Sequence, residues 1–287
     1  METFRNLVAW IGASIIYLLI RIFGKQTGFA ENPWLAGPLG SDYIGERPYE
    51  EVAEAEGLIL QRNACEGGLI PNFDALRGPD FDSSAIHPAI RGFYEQTARH
   101  RIDVWPHTYF PANVALWLLV TTISRKVNQL NFPTNALDMA MGMSSEIALL
   151  KRDDGSVKYT GWLRKFSDGQ RVLYTGFYMV GVTPIRGTPV VKAVFPMPDG
   201  NATVVLRPKV GEQGAFLLES DGDRFGDVGF YRIQHHKGAS MRIWRVASLK
   251  ESFRVYVDGE GVVRCDHQVR FLGFKVLRLH YRIERTR

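Results

Sequence analysis

The chain has 287 residues, a hydrophobic fraction of 45%, an aromatic fraction of 12% and a formal charge of +5. These values exclude a disordered or low-complexity polymer and leave material for one large core or two modest ones. Cys65 and Cys265 lie far apart with no CxxC spacing, which excludes a disulfide-built scaffold; both are read as ordinary buried thiols.

The chain opens on its most apolar stretch. Residues 7–23 are almost wholly apolar between Arg5 and Lys25, with apolar positions all round the helical wheel and Arg21 able to snorkel to an interface. Residues 1–26 are therefore expected to form a membrane anchor or interfacial helix, so that the protein is membrane-associated with its side of the membrane undetermined. A signal segment and a helix buried against the domain are the other readings. Residues 27–142 read as a helical and irregular segment packing on a sheet. Asn32-Pro33, Gly37-Pro38 and Gly40-Ser41 mark a linker. Helices are expected over residues 49–62, with acidic residues at the start, and from Ser83-Ser84, with Pro88 just inside, to about Arg101. A third is expected over residues 112–130.

From Met143 the hydrophobic period changes from helical to alternating and stays so to the end. Candidate strands cover residues 145–152, 157–166, 171–182, 190–195, 203–207, 216–219, 229–235, 242–247, 253–257, 263–271 and 276–283. Asp-Gly and related turn chemistry fills the gaps, as in Asp153-Asp154-Gly155 and Asp258-Gly259. Residues 143–287 thus predict an antiparallel β-barrel-like domain. The class is mainly β (α+β), a meander closing into a barrel or strongly curved sheet. From Met241 onward eleven basic residues face five acidic ones. No recognition helix, zinc knuckle or aromatic RNA-binding run accompanies them, so a solvated outer face is expected and nucleic acid is not an expected partner.

No phosphate-binding loop, dinucleotide fingerprint, nucleophile elbow or clustered metal-ligand set occurs in the sequence. No cofactor and no metal is therefore expected. By parity His267 shares a face with Cys265, Val269 and Phe271, which puts an imidazole on an inward, apolar side. Glu146 shares a face with Ala148 and Leu150, where a desolvated carboxyl would be an acid–base partner. His267 and Glu146 are the candidate catalytic residues. Tyr174, Tyr178 and Tyr281 offer hydroxyls in apolar walls, and Trp162 and Trp244 offer ring surface. Lys192, flanked by Val191 and Ala193, is either a rim residue or a desolvated amine paired with Glu146. These six are the candidate ligand-binding residues.

Three runs, Gly142-Met143-Ser144-Ser145-Glu146-Ile147, Val194-Phe195-Pro196-Met197-Pro198-Asp199-Gly200-Asn201-Ala202 and Leu277-Arg278-Leu279-His280-Tyr281-Arg282, resemble an uncharacterised bacterial protein family to which no activity is attached. The single meander also resembles the calycin barrels, the lipocalins and the barrel-shaped cyclases, although Gly161-Trp162 departs from the lipocalin Gly-x-Trp pattern. That likeness is one of fold and identifies no function; a barrel of this size can hold one small ligand in its mouth, and an apolar lumen with a few polar groups suggests an apolar one. A lipid, terpenoid or polyketide-like partner is expected, acted on by a cofactor-independent cyclase or isomerase through confinement and proton transfer. A carrier or sensor of the same ligand, and a membrane-anchored scaffold, are the alternatives.

Overall fold

The computed structural model describes residues 2–41, 43–111, 128–131, 142–167, 171–235 and 241–286, without the side chains of residues 2–11 and 13. The helix expected over residues 112–130 lies outside these residues except at its end, where 128–131 is not helical. Helix α1 (Glu2–Phe23) runs into a short strand, β1 (Lys25–Gln26). The next helix, α2 (Pro48–Glu56), stops earlier than its sequence pattern, because Gly57 adopts a left-handed φ of 61° and its N–H caps the last turn. Freed from the helix, Ile59–Gln61 forms β2. Helix α3 (Pro88–Glu95) is capped by His87, whose ring nitrogen accepts from the Ala89 amide, and β3 (His100–Thr108) follows.

The alternating half then gives β4 (Met143–Lys151), β5 (Val157–Phe166), β6 (Val172–Val182), β7 (Pro189–Met197), β8 (Gly200–Val210) and β9 (Phe216–Glu219). It continues as β10 (Gly229–His235), β11 (Met241–Arg245), β12 (Leu249–Val257), β13 (Val263–Phe271) and β14 (Phe274–Arg285). All eleven strands expected from alternation are present. Pattern alone missed β1, β2 and β3, which are short or carry mixed chemistry.

Every pairing is antiparallel, and the main path runs β2-β4-β5-β6-β7-β8-β9-β12-β13-β14-β3. The sheet is strongly curved but does not close, since β2 and β3 end the path unpaired to one another. One excursion interrupts the meander. Strand β8 pairs with β10 over its first half (Asn201↔Ile233) and with β9 over its second (Arg207↔Glu219). The β10–β11 hairpin therefore splays outward, where β1 joins β11.

Both faces of the sheet are covered. On the convex face α2 lays Tyr49, Val52 and Ala53 on Ala148, Leu150, Tyr159 and Leu163. Gly161 makes this possible, because a Cβ there would lie 2.4 Å from the Tyr49 ring. On the concave face the segment through α3 packs Leu69, Phe73, Phe93 and Tyr94 against Ile147, Phe216 and Val255. Phe73, Phe81, Tyr94 and Phe216 meet at ring separations of 5.1–6.3 Å and plug that side.

The first helix corrects the expectation of a membrane anchor: no helix among the described residues is long and apolar enough to cross a membrane. The uncharged run between Arg5 and Arg21 would span about 22 Å as a helix against ~30 Å of hydrocarbon. Its end is instead tied to the sheet. Ile20 is buried, Phe23 stacks on Trp244, and Arg242 donates to the Arg21 and Gly24 carbonyls.

One side chain repairs the sheet where its backbone fails. The β6–β7 ladder stops at Phe177↔Val194, and the next position on β7 but one, Pro196, has no N–H to give. The fully buried Gln129 supplies a surrogate peptide there. Its amide donates to the Thr175 and Pro196 carbonyls at 2.9 and 3.0 Å and accepts from the Thr175 N–H at 2.8 Å. Gln129→Ala is expected to lower unfolding free energy by about 2–4 kcal/mol, because it strands buried peptide groups. Urea unfolding measures this, and a loss below ~0.5 kcal/mol would contradict the account.

Candidate functional site

The concave face bounds an apolar cavity of about 1760 Å³. Alternation places its walls: Trp162 from β5, Tyr174 and Tyr178 from β6, Val191, Ala193 and Phe195 from β7, and Ala202, Val204 and Leu206 from β8. Across the lumen stand Glu251, Phe253 and Val255 from β12, Cys265, His267 and Val269 from β13, and Leu277, Leu279 and Tyr281 from β14. Phe110, Phe271, Leu272 and Phe274 also line it and are exposed, so they form an apolar rim. The volume exceeds the roughly 300–1,000 Å³ of pockets for drug-sized molecules.

His267 sits where its parity put it, 9% exposed. Its Nε2 lies 3.0 Å from Glu251 Oε2, and its ring stacks on Phe253 at 3.8 Å between centroids and 14° between planes. Phe253 and His267 are cross-strand partners, which sets this stack. The second nitrogen, Nδ1, is fully buried and has no partner among the described residues. Glu251 was not singled out in the sequence. Its position two residues before Phe253, on the inward face of an alternating strand opposite Val269, is the signal that would have found it.

Trp162, Tyr174, Tyr178 and Tyr281 are brought together in the wall. The Trp162 ring meets Tyr174 at 5.4 Å and Tyr178 at 5.7 Å, edge to face, and its indole N–H donates to Ser145 Oγ at 2.8 Å. Burial holds all three tyrosine phenols above their usual range, so they are neutral hydroxyls able to donate. Burial likewise raises the Cys265 thiol, which leaves it protonated and a poor nucleophile.

Three candidates lie elsewhere. Glu146 does share a face with Ala148 and Leu150, but that face is the convex one. There it is bound by Arg62, whose Nη2 donates to Oε2 at 2.9 Å and whose Nε donates to Oε1. Arg62 also meets Glu46 and Glu50, and the Glu146 carboxylate is the chief reason its guanidinium is held above its usual range. Trp244 lies on the splayed hairpin against Phe23 and not in the cavity lining. Lys192 is buried on the convex side of β7 and does not pair with Glu146. Its Nζ donates to the carbonyls of Trp34 and Ala36 at 3.1 and 2.6 Å.

Other features of the chain resolve in the same plain way. Cys65 is exposed, contrary to the buried thiol expected, and Cys65 and Cys265 are both free. The C-terminal basic residues pair outward, Arg278 and His280 with Asp266 and Arg264 with Asp258. No group of three or more His, Cys, Asp or Glu that could hold a metal ion occurs among the described residues.

Lys192 gives a pH signature. Burial lowers its ammonium from 10.5 to about 8. The folded state therefore releases a proton that the unfolded chain keeps between about pH 8 and 10.5, so stability rises with pH across that window. The two carbonyls offset part of the burial cost. Lys192 by itself is expected to add about 1–3 kcal/mol to the unfolding free energy from pH 7.5 to 10, against the opposite contribution of the buried Cys265 thiol and tyrosine phenols, and Lys192→Met should remove its share of the slope. An unchanged slope in the variant, measured by denaturant unfolding, would contradict this assignment.

Against this geometry, comparison with known proteins returned nothing: no family model, no curated protein and no solved structure matches the chain.

Proposed function

We propose that the protein binds an apolar small molecule, of lipid, terpenoid or polyketide-like chemistry, inside the curved sheet. The observation that carries this reading is the cavity itself, about 1760 Å³ walled mainly by aliphatic and aromatic side chains. The exposed Phe110, Phe271, Leu272 and Phe274 rim leaves these walls open to solvent, and apolar surface left in contact with water is unfavourable. Apolar walls also hold water poorly. Filling the space with apolar surface is the state such walls favour.

Holding the ligand, as a carrier or sensor does, fits the polar groups best. The His267 nitrogen left over from Glu251 has no accessible surface, so it is not placed to take a proton from a bound molecule. The second reading, cofactor-independent isomerisation or cyclisation, is favoured by the imidazole–carboxylate pair standing in an apolar wall. It requires the His267 ring to turn when ligand enters.

Native mass spectrometry of gently purified protein should show a bound apolar molecule, and the neutral fluorophore N-phenyl-1-naphthylamine should bind the delipidated chain. Ala193→Trp and Val204→Phe, which push side chains into the lumen, should weaken fluorophore binding about tenfold or more with the far-ultraviolet spectrum unchanged. An empty spectrum together with no fluorophore binding would overturn the reading. Chemical change in the bound molecule that is lost in both His267→Ala and Glu251→Gln, with binding kept, would replace the carrier by the enzyme.

A further inference from the structure

One group in the cavity lining keeps unused hydrogen-bonding capacity. Glu251 is the only carboxyl side chain among the described residues that line the lumen, and 13% of that side chain stays accessible. Its Oε2 meets His267 Nε2 at 3.0 Å, while Oε1 has no hydrogen-bond partner among the described residues. The proton of that bond lies between Nε2 and Oε2, so Oε1 carries none and can only accept. Elsewhere in the wall the polar groups are engaged. The Trp162 indole donates to Ser145, and the Tyr174 and Tyr178 phenols are hydrogen-bonded to one another.

The sheet fixes where this acceptor stands. Strand β9 ends at Glu219, and Ser220 carries the pairing on: its Oγ accepts from the Glu251 N–H at 2.7 Å and its own N–H donates to the Glu251 carbonyl at 3.0 Å. Leu249 faces Phe271 at the exposed rim, Glu251 faces Val269 in the next inward row, and Phe253 faces His267 in the row after that. The carboxyl therefore lies about 7 Å inside the mouth, with apolar rows beyond it. A wholly apolar ligand would strip water from Oε1 and return nothing. An anionic head group would set acceptor against acceptor, and Lys275, the only lysine or arginine in the lining, is exposed at the rim.

We propose that the ligand is an apolar molecule ending in one hydrogen-bond donor and carrying no negative charge, an alcohol or an amine, and that this donor meets Glu251 Oε1 while the apolar body runs inward past Phe253, His267 and Leu279. This rests on the reading of the cavity as an apolar-ligand site. The donor end stays near the mouth, and the part of the molecule that water solvates worst is the part most enclosed.

The test uses the full chain after delipidation, with dodecanol, dodecylamine, dodecyl methyl ether and dodecanoic acid competing in turn against N-phenyl-1-naphthylamine below their micelle concentrations. The alcohol or the amine should compete about tenfold or more better than the ether, which has the same chain but no donor, and the acid should do no better than the ether. Whichever of alcohol and amine leads identifies the donor. In Glu251→Gln the amide oxygen stays on His267 and the amide nitrogen takes the place of Oε1, so the lead over the ether should vanish while fluorophore binding is kept. Should that near-isosteric variant fail to fold, Glu251→Leu serves the same comparison. An ether level with both donors in the unaltered protein, with the fluorophore bound, would overturn the donor assignment and leave the cavity reading intact. So would a lead that survives in the variant, or an acid that outcompetes both alcohol and amine. Failure of the fluorophore and all four competitors to bind would overturn the cavity reading itself.

Discussion

The structure depends on one constraint: a sheet that is apolar on both faces, strongly curved, and never closed. Closure would satisfy the edge strands and fill a small barrel with side chains. Here β2 and β3 end the path instead. The concave side is bridged by Leu69, Phe73, Phe93 and Tyr94 around α3, which plug only part of it. What remains is a lumen whose walls are as apolar as a core but which lacks a core's packing.

The convex face explains how such a shell holds its shape without a filled interior. Tyr49 lies flat against Gly161, and Leu35, Val205, Tyr231 and Ile233 form a separate buried cluster. Lys192 is drawn under the 34–36 turn by two carbonyls, at the expense of burying a charge. Gln129 restores the hydrogen bonding lost at Pro196. The packing that holds the shell together therefore lies outside the cavity.

Polar groups in the lumen divide into two sets. His267 and Glu251 pair with one another across β12 and β13, with Phe253 stacked on the imidazole. Tyr174 and Tyr178, with the Trp162 ring edge to face against both, form the other set.

Alternation in the sequence was enough to place eleven strands, the mainly-β class and the common face of Cys265, His267, Val269 and Phe271, because the side-chain period of a strand is fixed at two. It also placed Tyr174, Tyr178, Tyr281 and Trp162 on walls that proved to be inward. What periodicity could not decide was which buried face is the lumen. Glu146 reads as sharing a face with Ala148 and Leu150, and Lys192 as either a rim residue or a desolvated amine, yet both side chains lie on the face under α2 and the 34–36 turn, since this sheet is covered on both sides. The Glu251–His267 contact and the failure of the sheet to close are long-range properties. They arise from pairing strands far apart in the chain, and only the tertiary structure sets them.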